Sequence, residues 1–495
     1  MHHKIGFIFI IALVCFSPAW VIAGGQQETD SDVSGADSGL TKIMSMAAEN
    51  PSGDGVGSVE FSKSEGGVPL VLTENGAVEY ALRRNLQIKS SAIEMGMKKR
   101  ANKYAWNRFV PSIQASGTLS RMNADQSTFI YIPPDISMID LPQWSVAAGL
   151  DFSLTLNLAL YNGVKATQID YEAGRISYEM ARQQVSRDVR KSFYSLLLMQ
   201  ENRTLMVENI SAAERRYEQA LINYENGMIP ELTVLSAQVA WENLKPALKA
   251  MDLGYRQALQ GFKMTLGMDL DQEIELNGSI DAEAVDVDAD KLINRYLSER
   301  LDIQSLLVSI NFLENQLRAT KLQIYSPQLI LGYSMDPSFG GDPWSDPWFG
   351  GDYDWEQRSG MFRATIAFSL DGLLPFSQAQ MGIRDLEDSI ELNRIGLMQT
   401  IRGAELEIDA TVEQLKKSRD TIETLLLNEE LARRAYEMAE EAYNAGSREL
   451  LEVENAEIDL KTAQIEVLKE KFTYLSALID LEYQLNNDLN TLANN

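Results

Sequence analysis

The sequence predicts a mainly α-helical protein with a small β part and an internal duplication. Three observations carry this prediction. Proline is absent from residues 143–229 and 376–495, and these stretches contain apolar residues at the heptad-like spacing of long coiled-coil helices. Residues 144–157 alternate between apolar and small or polar side chains, which is typical of a strand. Segments beginning at Tyr217 and Tyr436 resemble each other, which indicates the duplication.

The N-terminus has the features of a signal peptide. Lys4 precedes an apolar run that is too short to span a bilayer, and small residues follow, so we expect residues 1–23 to be removed on export. Cys15 is either an ordinary residue of this peptide or a lipid-attachment site, for which the preceding Val14 is not the usual small residue. Residues 24–67 are rich in Gly, Ser, Asp and Glu and are expected to form a flexible leader.

Composition excludes several classes of function. The chain of 495 residues has a formal net charge of -27, which argues against nucleic-acid binding because that needs clustered Lys and Arg. After cleavage the chain has neither His nor Cys, since the only examples are His2, His3 and Cys15. Histidine–cysteine metal clusters and Ser-His-Asp or Cys-His nucleophile systems are therefore excluded, and we predict no enzyme activity, no metal site and no cofactor.

The duplication has a period near 219 residues. Identical residues align without a gap as the pairs Tyr217 and Tyr436, Ala220 and Ala439, Tyr224 and Tyr443, Gly227 and Gly446, Leu232 and Leu451, Val234 and Val453, and Ala237 and Ala456. We therefore expect a first repeat at 68–280, a second at 281–486, and a C-terminal tail at 487–495.

Each repeat is predicted to contain a pair of strands and a long helical hairpin. The strands are expected at 112–122 and 144–157, and at 328–335 and 361–370. Glycine takes the left-handed conformation that ends a helix, so the hairpins are expected to turn near Gly227 and Gly446. Seventy helical residues would extend about 105 Å.

Residues 123–141 and 336–360 are expected to be loops between the strands. The second loop contains aromatic residues that form either an aromatic belt at a membrane surface or turn residues of an exposed cap: Trp344, Trp348, Tyr353 and Trp355.

The longest strand presents one apolar face. Its members are Trp144, Val146, Leu150, Phe152, Leu154 and Leu156. In a soluble sandwich this face would pack on a second sheet, whereas in an outer-membrane barrel it would face lipid. The sequence offers no second sheet, and an open four-stranded sheet leaves unpaired edges in lipid. Three copies would supply about twelve strands and close a barrel.

Three segments of the sequence resemble the TolC family of outer-membrane efflux proteins. Residues 72–88, LTENGAVEYALRRNLQI, are similar to the first helix of that family. The turn and return helix of its hairpins are similar to YENGMIPELTVLSAQ from Tyr224 and YNAGSRELLEVENAE from Tyr443. The resemblance covers residues 68–486 in the family's order, including the duplication.

The resemblance implies a homotrimer in the outer membrane of a diderm bacterium. A twelve-stranded barrel in outer-membrane lipid would continue as a long α-helical coiled-coil tunnel through the periplasm. Members of this family are passive exit ducts for efflux or type I secretion, opened by a periplasmic adaptor protein that connects them to an inner-membrane transporter.

The resemblance also implies a gate at the periplasmic end of the tunnel. The family's gate residues fall on Tyr443, Arg448, Glu452 and Asn455, and Thr233 stands where an acidic partner of the arginine is expected. Asn455 and Thr233 depart from the acidic residues of the family. The alternative is that Tyr443 is a coiled-coil packing residue and that Arg448 and Glu452 are solvated.

The adaptor is expected to dock beside the hairpin turns. The residues concerned are Gly227, Met228, Ile229 and Pro230 in the first turn, and Gly446 and Ser447 in the second. A purely structural role is the alternative, because Pro230 suits the start of a helix. The alternative function for the whole chain is a periplasmic coiled-coil adaptor or scaffold without a pore, which would not need the apolar strand face.

Overall fold

The computed structural model describes residues 70–123, 126–132, 135–141, 143–281, 285, 287–340 and 360–487. The predicted signal peptide and leader lie outside the described residues, as do most of the tail and the four aromatic residues of the second loop.

Eight helices and nine strands are assigned within the described residues. The helices are α1 (Glu74–Arg84), α2 (Leu86–Lys103), α3 (Ala159–Glu225), α4 (Glu231–Leu266), α5 (Ala289–Tyr296), α6 (Leu301–Tyr325), α7 (Gln378–Asn444) and α8 (Leu450–Leu485). The strands are β1 (Leu70–Leu72), β2 (Ser112–Arg121), β3 (Gln126–Ile132), β4 (Asp135–Leu141), β5 (Trp144–Leu156), β6 (Ile274–Leu276), β7 (Gln328–Met335), β8 (Ser338–Gly340) and β9 (Met361–Ala367).

The helical hairpins repeat with the offset of 219 that the sequence predicts. Helices α3 and α7 each have 67 residues, and α4 and α8 each have 36. At about 1.5 Å per residue the longer pair extends about 100 Å. The return helices end alike, because Gly267 and Asn486 both take the left-handed conformation.

The buried cores of the two hairpins repeat as well. Val189, Phe193 and Leu196 of α3 pack against Phe262 and Leu266 of α4 in the first core. In the second core the residues at the same offset are Ile408, Val412, Leu415, Leu481 and Leu485. The duplicated helices are therefore held by duplicated packing, in which apolar burial is the main stabilising term.

Five strands form one antiparallel sheet, in which four follow the order β2-β5-β7-β9 and the short β8 also pairs with β5. The two predicted strand pairs are joined because β5 of the first repeat pairs with β7 of the second. Within the described chain, β2 and β9 are each paired on one side only, so both outer edges of this sheet keep free backbone groups.

The register of the sheet places apolar side chains on one face and small or polar side chains on the other. An apolar row crosses all four strands at Ile113, Phe152, Tyr333 and Phe362, and the adjacent row, on the opposite face, is Ser112, Ser153, Gly332 and Arg363. The rings of Phe152 and Tyr333 lie 6.2 Å apart. Because neighbouring residues of a strand point to opposite faces, the apolar face predicted for β5 extends over all four strands.

Two expectations about the β part are wrong. The first expected loop, 123–141, contains the antiparallel strands β3 and β4, and β8 in the second expected loop pairs with β5. The sequence QSTFIYI of β3 is rich in residues that favour strands, and this preference outweighs the loop signal of the neighbouring prolines. The last predicted strand ends at Ala367, three residues early, because the backbone turns into a short 3-10 helix at Asp371–Leu373.

The described helices include none that combines the length and the apolar character needed to cross a bilayer.

Candidate functional site at the hairpin tips

Both hairpins reverse direction through the same backbone turn. The amide of Gly227 donates to the carbonyl of Tyr224 at 2.8 Å, and the amide of Met228 donates to Asn223 at 2.9 Å. The second turn, at Gly446, has the same two bonds with the same lengths. Gly227 and Gly446 both have φ of 72°, which a residue with a Cβ adopts only with strain.

The first tip carries mostly apolar side chains on the side of the turn that leads into α4, where Glu231 is the one acid of the first helical turn. Met228 is 74% exposed and Leu232 is 73% exposed, while Ile229 is half-buried. Pro230 precedes α4 with extended backbone, and its carbonyl accepts a bond from the amide of Thr233 at 3.1 Å. This tip therefore offers apolar side chains to solvent at the end of the hairpin.

The second tip is charged at equivalent positions. Arg448 and Glu449 stand where the first hairpin has Ile229 and Pro230, and Glu452 stands where it has Thr233. The guanidinium of Arg448 donates to the carboxylate of Glu452, and both side chains are about half exposed. Ser447 closes the turn by donating from its hydroxyl to the carbonyl of Ala442 at 2.9 Å.

A small apolar cluster joins the two hairpins just inside the tips. Its buried members are Ala220, Val234, Ala237 and Leu450, and Tyr217, Ile229 and Tyr443 pack around them.

The five predicted gate residues therefore occupy different environments. Tyr443 lies half-buried against the apolar cluster, in the last turn of α7. Thr233 is half-buried in the first turn of α4. Arg448 and Glu452 form their exposed pair, and Asn455 is exposed on α8.

The sequence did not predict a buried ion pair that joins the two hairpins. Arg216 of α3 donates to Glu457 of α8, with side chains only 17% and 8% exposed. Burial lowers the pKa of the Arg216 guanidinium, and the neighbouring Tyr436, Glu454 and Glu440 oppose that shift.

A second group of ion pairs joins α3 and α8 farther from the tips. Arg187 and Lys191 of α3 both contact Asp480 of α8, each at 2.7 Å. Arg190 bridges Glu482 of α8 and Glu74 of α1. The Arg216–Glu457 pair is thus the ion pair between α3 and α8 that lies nearest the tips among the described residues.

Arg216→Met is expected to destabilise the protein by about 3 kcal/mol, because it leaves the buried Glu457 without its cation. Arg434→Met is the matched control, since Arg434 pairs with Glu430 on an exposed surface and its loss should cost less than about 1 kcal/mol. The thermal unfolding midpoint of each purified variant measures the difference. Equal shifts would contradict a structural role for the buried pair.

Comparison with known proteins identifies the family. The model of the outer membrane efflux protein family matches residues 77–268 and 357–487, which include both helical hairpins and both tips. A comparison with curated protein sequences gave no match.

Solved structures with the same fold are outer-membrane channels. The CmeC outer membrane channel of Campylobacter jejuni has a TM-score of 0.69 at 17% identity, over 85% of this chain and 88% of that one. The outer membrane protein VceC of Vibrio cholerae has 0.66 at 16% identity, over 84% and 96%. The open state of the MtrE outer membrane channel of Neisseria gonorrhoeae has 0.66 at 14%, over 84% and 89%.

Family and fold are those of channel proteins rather than enzymes. They also decide between the two functions that the sequence left open, because the family model describes efflux proteins of the outer membrane and not periplasmic scaffolds. The chain belongs to the outer membrane efflux protein family and is an outer-membrane exit duct that extends into the periplasm of a diderm bacterium.

Proposed function

We propose that three copies of the chain assemble into a passive duct that an adaptor protein opens at its periplasmic tip. The observation that carries this proposal is the sheet with one continuous apolar face and two unpaired edges. In lipid every backbone polar group needs a partner, so such a sheet has to close with further strands. Three copies of β2, β5, β7 and β9 give about twelve strands, within the range of outer-membrane barrels.

The apolar face of β5 is the proposed lipid contact. Val146, Leu150, Phe152, Leu154 and Leu156 alternate with small or polar residues that would line the lumen. Trp144 stands at the far end of β5, where the Arg121 guanidinium lies 5.3 Å from its ring centre. Tryptophan beside a cation suits the boundary between lipid and water.

The residues proposed for docking and those proposed for the gate differ in their chemistry. The apolar first tip, with Met228, Ile229 and Pro230 after Gly227, is the proposed docking surface for the adaptor, together with the turn at Gly446 and Ser447. The charged second tip is the proposed gate. Three copies of Arg448 and Glu452 around a threefold axis would place alternating charges at the tunnel end. The other proposed gate residues are close in sequence to the two turns: Tyr443, Thr233 and Asn455.

The duct would itself move nothing against a gradient, and its partners would supply energy and selection. The proposed partners are a periplasmic adaptor protein and, through it, an inner-membrane transporter of an efflux or type I secretion system. The adaptor has to bind the tips tightly enough to shift the closed state towards the open one.

Conductance in planar bilayers tests the duct and its docking surface together. The purified protein is expected to give small ion channels alone and larger ones with its cognate adaptor protein. Met228→Glu should remove the increase, because it places a charge in the apolar tip. Met264→Glu is the control, since Met264 is 69% exposed but lies about 50 Å from the tip along α4. Folded trimers that carry no current would overturn the proposal.

A further inference from the structure

The segment before the first strand of the sheet is basic in an otherwise acidic chain. Residues 95–124 contain six Lys or Arg and no acidic residue. Asp and Glu make up 71 of the 495 residues, so about four would be expected in a stretch of this length. A positively charged segment in a chain whose net charge is -27 indicates a partner that carries negative charge.

Most of these cations are free of acidic partners. Lys98 pairs with Asp170 at 3.0 Å. Lys99, Arg100, Lys103 and Arg108 are exposed, and no carboxylate of the described chain forms an ion pair with them. The first three lie in the last two turns of α2. Arg108 belongs to the short 3-10 helix Ala105–Phe109, between α2 and β2, and its guanidinium lies against Gly163 of α3.

Exposed aromatic side chains are interleaved with the cations. Tyr104, Trp106 and Phe109 are each about half exposed or more, with Trp106 at 57%. β2 begins at Ser112, three residues after Phe109. Ser112 pairs with Ser153 near the end of β5, and exposed Leu158 and Tyr161 follow that strand. The cations and aromatic residues therefore lie at the end of the sheet where the strands connect to the helices.

We propose that Lys99, Arg100, Lys103 and Arg108, together with Trp106, form a basic collar that binds anionic phospholipid headgroups in the periplasmic leaflet of the outer membrane. The inference rests on the proposed placement of the sheet in the bilayer. Phosphate accepts paired hydrogen bonds from a guanidinium and single ones from an ammonium group, and each cation near an anionic surface strengthens binding. Tryptophan and tyrosine settle at the headgroup level, with the ring body in the apolar layer.

A lipid explains the collar better than a second copy of the chain. Carboxylates of a neighbouring copy would neutralise the cations, but carboxylates alone do not account for the exposed rings beside them. A phospholipid offers a phosphate for the cations and acyl chains for Trp106 and Phe109 at the same boundary.

Lipid titration of the detergent-purified assembly tests the collar. Phosphatidylglycerol and phosphatidylcholine with identical acyl chains are added separately, and the bound lipid is counted by native mass spectrometry. We expect phosphatidylglycerol to bind about tenfold more tightly at low salt. This preference should weaken as salt rises, because ions screen exposed charges.

Two variants with the same change of charge separate the collar from net charge. In the collar variant, Lys99→Gln, Arg100→Gln, Lys103→Gln and Arg108→Gln are combined. In the control, Lys249→Gln, Arg402→Gln, Lys417→Gln and Lys469→Gln remove four exposed cations from other helices. The collar variant should bind both lipids alike, and the control should keep the preference.

Several results would overturn the collar. The wild type could bind both lipids equally, or the collar variant could keep the preference for phosphatidylglycerol. The control variant could also lose this preference as fully as the collar variant does. Competition by inorganic phosphate at millimolar concentration would indicate a soluble anion site instead. Loss of the trimer with unchanged lipid preference would indicate contacts between copies.

If the collar variant fails to assemble, a wild-type preference that salt does not weaken refutes the inference. A protein that needs no detergent would instead refute the proposed function.

Discussion

Leu150→Arg is expected to abolish assembly in the outer membrane, whereas Ser153→Arg, three residues along the same strand, is expected to assemble. Leu150 lies between Ala115 and Met335 on the apolar face of the sheet. Ser153 lies on the opposite face, which would line the water-filled lumen. A charge on the lipid face near the bilayer midplane costs about 2 to 4 kcal/mol, and a trimer would carry that cost in each copy.

The yield of heat-modifiable trimer in outer-membrane fractions measures both variants. The two variants introduce the same bulk and charge, so they differ only in the face of the sheet that carries the arginine. Equal assembly, or failure of Ser153→Arg alone, would show that the proposed lipid face is the wrong one.

The second large effect is expected at the tips. Tyr443→Phe combined with Arg448→Ser should raise single-channel conductance in planar bilayers without changing the trimer yield. The phenylalanine keeps the ring that packs on the apolar cluster and removes only its hydroxyl. The serine removes the Arg448–Glu452 pair. An exposed pair of this spacing contributes less than about 1 kcal/mol, and threefold symmetry would repeat that loss in each copy.

The duplication provides a matched control for the gate. Tyr224→Phe removes the hydroxyl at the equivalent position of the first hairpin, and Arg434→Ser breaks an exposed pair of the same spacing on α7. This control should conduct like the wild type. Unchanged conductance in the Tyr443–Arg448 variant would place the constriction elsewhere, and Glu449 would become the candidate, with block by divalent cations as its test.

Local sequence patterns predicted most of the fold. The positions of the turns at Gly227 and Gly446 depend on a backbone conformation that few residues adopt, so glycine marks them. The alternation of β5 predicted both its length and its apolar face. Pairing between β5 and β7 depends on three-dimensional contact between the repeats, and the sequence predicted the strand pairs without this link.

The inter-hairpin ion pair shows why the site was harder to predict than the fold. Val453, Glu457 and Leu460 are buried at 4-3 spacing, so Glu457 occupies a core position of a heptad pattern, where a charge is unusual. That signal was present in the sequence. Its partner, Arg216, is 241 residues away and belongs to the other repeat, so only the packing of α3 on α8 identifies it.

The mass of the detergent-extracted particle shows directly whether three chains assemble to close the sheet. Light scattering coupled to size-exclusion chromatography separates the mass of protein from that of bound detergent. Three chains per particle are expected, because the four-stranded path has two open edges and one apolar face that have to be covered. A monodisperse single chain that stays in solution without detergent would contradict this expectation.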